Sequence, residues 1–213
     1  MEKLVSGGPR SELPVDVVKK TDVDRIAASL ALAFDDDPVM MFLFPDPGSR
    51  ARCLTRFFRT VLLVHHLSHD TCFTDAECAA AALWNPPGHW RITTMQILQG
   101  SLGFLNAFGL NVFTALRAQS AVEHAHPRAR HYYLAVLGTR PDRQGKGLGS
   151  AVLRPILERC DREGLGAYLE SSKERNLRFY RGHGFEVTGE IRLPGGPIVW
   201  PMWRKPVSTG SAR

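Results

Sequence analysis

Cysteine is scarce in this chain and its spacing carries no pattern. Cys53, Cys72, Cys78 and Cys160 are the four present in 213 residues. Their intervals match neither the paired spacing of a zinc site nor the density of a secreted disulfide scaffold, so they read as reduced thiols of a cytoplasmic protein. His65, His66 and His69 have no acidic or cysteine set beside them that completes a metal site, and no metal is expected. An apolar leader is missing too. The opening MEKLVSGGPRSELP argues against export, and its Gly and Pro content predicts a mobile lead-in over about 1–12, with a second frayed end at 207–213. No basic run is interleaved with aromatics, which counts against a nucleic-acid partner.

What is present fits one compact domain over 1–213, because 44% hydrophobic content at this length supports a single good core. The net charge is +6, unevenly spread. Residues 1–106 hold ten basic and twelve acidic side chains and residues 107–213 hold seventeen and nine, so the second half is the one suited to an anionic ligand. Ile92 to Leu116 carries no charge and is long enough to cross a bilayer. Its Thr, Gln, Ser and Asn residues would lack partners in hydrocarbon, and Gly100, Gly103 and Gly109 lower helix propensity. The expectation is therefore no membrane span but one broken helix, or two, covering the sheet or a substrate pocket or forming a subunit contact, as in a homodimer.

Hydrophobic periodicity supplies the scaffold. A first strand is expected over Pro14 to Lys19. A helix capped by Thr21 runs from there to about Phe34, burying Val23, Ile26, Ala27, Leu30 and Ala33 or Phe34. A second helix is expected over Arg50 to His66, then a strand pair at Thr71 to Asp75 and Ala79 to Trp84, stopped by Asn85-Pro86-Pro87-Gly88. After the uncharged helical region come a strand at Leu134 to Thr139, a helix from Leu148, a strand at Ala167 to Glu170, a short helix carrying Tyr180, and strands near Phe185 to Thr188 and Ile198 to Trp203. The order implies an α/β domain with a central sheet. Pro155 should kink or shorten the helix that contains it.

The most informative segment is Gln144-Gly145-Lys146-Gly147-Leu148-Gly149-Ser150. Its glycines admit positive φ and let main-chain N–H groups approach a ligand, which makes an anion nest. The strand before it and the helix after it place unsatisfied helix N–H groups at the same anion, and Lys146 adds a charge. Two familiar phosphate motifs fail on spacing. A dinucleotide fingerprint needs glycine three residues after Gly147, where Ser150 stands, and a Walker loop needs Lys followed by Ser or Thr, whereas Lys146 precedes Gly147.

Gln144 to Gly149 resembles the Q/R-x-x-G-x-G/A pyrophosphate loop of the GNAT superfamily of acetyl-coenzyme A dependent N-acetyltransferases, and the flanking strands and the Asn176 to Tyr180 segment follow in that family's order. Tyr132 to Lys205, about a third of the chain, is similar in particular to the puromycin N-acetyltransferases, through GTRPDRQGKGLGSAV, LESS, RNLRFY, GFEVT and WRKP. The resemblance implies a GNAT fold, with a mixed, mostly antiparallel sheet flanked by helices, and acetyl-coenzyme A as co-substrate. It implies that main-chain groups of Leu137, Gly138 and Thr139 pair with the pantetheine arm. It also implies that Gln144 to Ser150 hold the pyrophosphate and that Asn176 hydrogen-bonds the cofactor. Tyr180 matches the tyrosine that protonates the departing thiolate; the alternative is that it only packs beside Phe179.

Acyl transfer to an amine also needs a proton acceptor. Glu170 is the first choice, an ion pair or solvated strand end being the alternative, and His131 is a weaker candidate. Cys160 has no evident base for a covalent acetyl route. Asp35, Asp36 and Asp37 flank the expected acceptor cleft and either attract a cationic amine or face solvent. Trp84 and Tyr132 either wall that cleft or belong to the core. The resulting expectation is direct transfer to a primary amine on a small cationic or aminonucleoside-like molecule. A protein lysine or N-terminal acceptor, or a catalytically silent acyl-coenzyme A sensor, are the alternatives.

Overall fold

A computed structural model of the protein describes residues 13–207. Of the ends expected to be mobile, 1–12 and 208–213 lie outside those residues; Val207 lies within them, and its N–H donates to Asp161 Oδ1 at 2.7 Å.

The chain begins with β1, Val15–Val17, shorter than the sequence suggested. A 3-10 turn at Lys20–Asp22 precedes α1, Val23–Ala33, so Thr21 does not cap that helix. The Asp22 carboxylate instead accepts the Lys19 N–H at 2.9 Å. Two Asp-Pro steps then start helices, because a carboxylate that accepts N–H groups stands before a residue whose φ is already fixed for the first helical position. Asp37 caps α2, Pro38–Leu43, through the N–H groups of Val39 and Met40 at 3.0 and 3.1 Å. Asp46 caps α3, Pro47–Val64, through Gly48 at 3.1 Å. The first of these helices was not expected, and the second starts earlier than Arg50.

β2, Cys72–Asp75, and β3, Ala80–Asn85, pair as a hairpin. The uncharged stretch is two helices, α4, Thr94–Phe108, and α5, Val112–Ala125, separated where Gly109 takes a φ of +52°. Gly103 has a packing role, since a Cβ there would stand 2.3 Å from Thr60 Oγ1 on α3. Among the described residues no helix is long and apolar enough to cross a membrane.

The remainder runs β4, His131–Thr139; α6, Leu148–Glu163; β5, Gly166–Ser171; α7, Leu177–Arg181; β6, Glu186–Val187; β7, Ile191–Arg192; and β8, Ile198–Arg204. Of the two effects expected of Pro155, a kink or a shortening of the helix, the shortening does not occur. The helix passes through it to Glu163 and ends at Gly164, whose φ is +65°.

The sheet order is β1-β2-β3-β4-β5-β8-β6, with β7 also on β8. Every pair is antiparallel except β4 and β5. Both faces are covered, and β3 shows how. Ala81 and Leu83 enter one core with Ile26, Leu30, Leu54 and Phe58 of α1 and α3, while Ala80, Ala82 and Trp84 enter the other with Val152, Leu153 and Ile156 of α6. Large side chains such as Leu30 and Ile156 each contribute about 1.5–3 kcal/mol by leaving water.

Two features of β4 open the sheet. Its register with β3 steps from Trp84↔Leu134 to Leu83↔Val136, so Ala135 is an extra residue, a bulge. The bulge reverses the alternation. Tyr132, Leu134 and Leu137 face the α6 core, and Val136 faces the α1 core. Pairing with β5 stops at Leu134↔Leu169, immediately before that bulge. Beyond it the two strands are not partners, and a cleft begins.

Candidate active site

The cleft has a volume of about 470 Å³ and is bounded by β4 from Leu134 to Thr139 on one side and by Leu169 to Lys173 on the other. Ala33 and Phe34 of α1 and Asn176, Phe179 and Tyr180 of the α7 region complete its walls. Because β4 has no strand partner on the β5 side past Leu134, main-chain groups of Leu137, Gly138 and Thr139 stand at its edge, ready for an extended ligand to pair with them. Gly138 is also fixed by packing. A Cβ there would come within 2.6 Å of Leu30 Cδ2.

At the end of β4 the chain makes the glycine turn. Gly145 and Gly147 have φ of +75° and +81°, a region that disfavours side chains. Gly147 is the residue before α6. The first helical bond runs from Ala151 N–H to Gly147 O at 3.0 Å, so the N–H groups of Leu148, Gly149 and Ser150 have no acceptor within the helix. Three such groups beside two left-handed glycines form an anion site, strengthened by the helix dipole. Gln144 closes the turn by donating from Nε2 to Thr139 O at 3.1 Å. Gly149, in contrast, has room for a Cβ, its nearest neighbours being Phe179 and Thr139 at 3.5 and 3.6 Å. Gly145, Gly147 and Ser150 also border a wider groove of about 1340 Å³ along α6. Lys146 lies on that groove rather than in the cleft, with Nζ donating to Asp142 O at 3.4 Å. The wider groove contains neither Tyr180 nor Glu170, both of which line the smaller cleft.

Tyr180 is buried and reaches the cleft from α7. Burial, with the charge of Asp37 nearby, raises its pKa above the usual tyrosine value, so the hydroxyl stays protonated. Glu170 reaches the same cleft from β5. Burial lifts its carboxyl from 4.5 to about 7, against hydrogen bonding from Tyr133 and Tyr168 that favours the ionised form. The Tyr133 hydroxyl donates to Glu170 Oε2 at 2.8 Å. A buried carboxyl that titrates near neutrality beside a protonated phenol is the pattern of a proton acceptor and a proton donor sharing one cavity.

The acidic run divides. Asp37 is buried and lines the cleft, but its oxygens are occupied by the α2 N–H groups and by the Ser172 hydroxyl. Burial raises its pKa in spite of those bonds. Asp36 is on the surface, paired with Lys173 and, at 2.6 Å, with Arg175. Asp35 is exposed and does not line the cleft. Trp84 and Tyr132 are core residues at 0% and 2% exposure, not cleft walls. The Tyr132 hydroxyl donates to Glu163 at 2.9 Å instead. Cys160 is fully buried, and burial pushes its thiol up to about 12, which removes it as a nucleophile.

Sequence reasoning missed the shell around Glu170. Tyr133, Tyr168, His126 and Trp90 come from three separate elements and the loop before α4; the parallel pairing of β4 with β5 sets the two tyrosines side by side, and the end of α5 lays His126, stacked on Trp90, against them. It also missed the bond from Ser172 to Asp37. An Asp-Pro step was the available signal for the latter, since it marks Asp37 as a helix cap. Among the described residues no three His, Cys, Asp or Glu side chains converge as metal ligands.

The model of the acetyltransferase (GNAT) family matches residues 71–185, over half of the chain and the whole span from β2 through the glycine turn to α7. The chain belongs to the acetyltransferase (GNAT) family. It is accordingly an enzyme, an acetyltransferase, and the alternative of a silent sensor falls away. An uncharacterized N-acetyltransferase of Schizosaccharomyces pombe is 29% identical over 192 residues, covering 83% of this chain and 75% of its own length. Solved GNAT-fold structures include a histone acetyltransferase HPA2 and related acetyltransferase from Corynebacterium glutamicum, with a TM-score of 0.69, 23% identity and coverage of 92% of this chain and 97% of that one. A polyamine N-acetyltransferase from Drosophila melanogaster superposes with a TM-score of 0.59 at 16% identity, covering 90% and 99%. An agmatine N-acetyltransferase gives 0.60, again at 16%, covering 92% and 100%. At these identities the superpositions speak for the fold.

The GNAT family uses acetyl-coenzyme A, and the site suits such a ligand. A glycine turn with spare N–H groups fits a diphosphate, and a widened strand gap fits an extended arm carrying amides.

Proposed function

We propose that this enzyme transfers an acetyl group from acetyl-coenzyme A directly to the primary amine of a small cationic or aminonucleoside-like molecule, within a ternary complex. Bound acetyl-coenzyme A supplies the thioester whose acyl carbon the amine attacks. Leu137, Gly138 and Thr139 hold its arm by main-chain pairing, and Gly145 to Ser150, with Gln144 bracing the turn and Lys146 at its outer edge, hold its diphosphate. Asn176, at the cleft wall, is the side chain that orients the arm. Glu170 takes the proton that the amine loses. Tyr180 gives its proton to the sulfur. Both the phenol and the nascent thiolate are buried, so desolvation raises both proton affinities and keeps the transfer balanced.

The single observation that carries this reading is that Glu170 and Tyr180 line one cavity, which ends at the anion-binding turn. A cationic acceptor is favoured by the agmatine and polyamine acceptors named for two proteins of the same fold and by the Glu170 carboxyl on the cavity, whose lining also carries Asp37 and, against it, Arg143, Lys173 and Arg175. Asp36 at the rim is offset by Lys173 and Arg175 and adds little. Protein amines are the second reading, favoured by the histone acetyltransferase of the same fold.

Thiol release from acetyl-coenzyme A over a panel of agmatine, polyamines, puromycin and lysine or N-terminal peptides tests the reading. Release that depends on a small amine supports it. Release with peptides alone overturns the small-molecule acceptor, and release with no amine at any concentration overturns the transfer.

A further inference from the structure

Three buried polar atoms that make no close hydrogen bond among the described residues meet behind Glu170: Glu170 Oε1, Tyr168 Oη and His126 Nδ1, and of these the Tyr168 hydroxyl is turned to the Glu170 carboxyl and favours its ionised form. Such groups are rare in folded proteins and ask for a reason. Glu170 Oε1 lies 3.9 Å from His126 Nδ1, and both side chains are more than nine-tenths buried. His126 sits at the C-terminal end of α5, with its ring stacked on Trp90 at 3.6 Å and 19°, which fixes the plane of the ring.

The hydrogen bonds around His126 fix its tautomer. His131 Nδ1 lies 2.6 Å from Ala129 O. A carbonyl only accepts, so that nitrogen carries the proton. His131 is neutral, its pKa lowered by burial, which leaves its Nε2 bare. His126 Nε2 lies 3.0 Å from it and must donate. Burial, then His131 and Arg91, hold His126 down to about 3, so it too is neutral. Its Nδ1 therefore presents a lone pair to Glu170 Oε1. A carboxylate gains nothing from that neighbour, whereas a carboxylic acid can donate to it.

We propose that His126 is a positioning residue for Glu170. Tied to His131 through Nε2–H, it offers bare Nδ1 as the acceptor for the O–H that Glu170 gains on taking the amine's proton. The proposal rests on Glu170 as the base. Its proton balance is simple: the amine N–H bond breaks, an Oε1–H bond forms, and that hydrogen points at His126 Nδ1, which closes on Oε1 from the present 3.9 Å to accept it, while Oε2 keeps its bond from Tyr133. His126 thus favours the proton-loaded state of Glu170 and aims Oε1.

The other groups facing the pair are known. Tyr133 and Tyr168 meet the His126 ring edge-on at 4.9 and 5.0 Å. Arg91 lies over Trp90 at 4.7 Å, Trp203 packs on His131 at 5.4 Å, and β8 sets Pro201 opposite Glu170. Glu123, His124, Arg128 and Arg130 border the surface pocket onto which His126 and His131 back.

The test is the acid limb of the kcat/KM pH profile in variants with an unchanged melting transition. His126→Asn can turn an amide N–H toward the carboxylate, so the limb should move down by about one pH unit or more. His131→Leu, which does not touch Glu170, frees His126 to place a proton on Nδ1 and should move the limb the same way. His131→Gln keeps an acceptor for Nε2–H and should restore the original limb. Nitrogen-15 spectra of the unsubstituted protein decide the matter even where a variant does not fold. His126 should show a protonated Nε2 and a bare Nδ1. A proton on Nδ1, or an unshifted limb in folded His126→Asn and His131→Leu, overturns the proposal. An active Glu170→Gln enzyme overturns the base and the proposal together, whereas an inactive Glu170→Gln beside an unshifted His126→Asn limb overturns the proposal alone.

Discussion

The Tyr133 hydroxyl donates to Glu170 Oε2 at 2.8 Å, a bond that crosses from β4 to β5 where their parallel pairing ends. It holds the carboxyl at the mouth of the gap and opposes the effect of burial on its proton affinity. Removing it should raise that affinity further. In Tyr133→Phe the acid limb of kcat/KM should move above pH 7 by about one unit, because a hydrogen bond to a charged group contributes about 1.5–3 kcal/mol. A pH-rate profile at saturating acetyl-coenzyme A checks this, and a downward shift would contradict it.

Tyr180 has a hydroxyl with a job only during thiolate departure. Tyr180→Phe should lower kcat by about 100-fold or more while coenzyme A affinity changes little. Calorimetric titration beside steady-state kinetics separates the two effects.

Gly147 precedes α6 with a φ of +81°. Gly147→Ala adds a strained residue costing of order 1–3 kcal/mol at the turn whose N–H groups are to meet the diphosphate. The expected result is a KM for acetyl-coenzyme A raised about tenfold, with the KM for the amine unchanged. Gly149→Ala is the control: a Cβ there meets only ordinary contacts, and a much smaller effect is expected.

Glu170 also links stability to pH. Its folded pKa, about 7, exceeds its ordinary value of 4.5, so between those values the folded state holds a proton that the unfolded state has released. Stability from this group is full below about pH 4.5 and is lost as pH rises through about 7. Glu170→Gln resembles the protonated form at every pH. It should melt higher than the parent at about pH 8 by up to roughly 3 kcal/mol, with the gain vanishing near pH 4.5. Equal melting temperatures at both pH values would remove the buried carboxylate from the account.

Most of the fold was legible in the chain because its strands are short apolar runs and α1, α3 and α6 carry apolar faces at helical spacing. The glycine turn was legible because Gly145 and Gly147 need φ values that other residues avoid. The structure puts most of the residues expected to meet the cofactor on one cleft. Trp84 and Tyr132 show where the residues alone left two readings open. An aromatic at a strand end looks the same in sequence whether it faces a cleft or the core, and the packing of α6 on the face that carries Ala80, Ala82, Trp84 and Tyr132 is what puts both in the core. The acidic run was open for a related reason, since the bond of Asp37 with Ser172 and the pairing of Asp36 with Lys173 and Arg175 depend on neighbours distant in sequence. His126 was invisible because its partners, His131 aside, lie on elements remote in the chain.

The most direct measurement is the pH dependence of kcat/KM for the parent enzyme and for Glu170→Gln, with whichever amine the panel identifies. The account predicts a parent profile that falls below about pH 7 with the slope of a single ionisation, and a folded variant slower by about 100-fold or more in which that limb is gone. A variant that retains the parent rate and the same limb would contradict it.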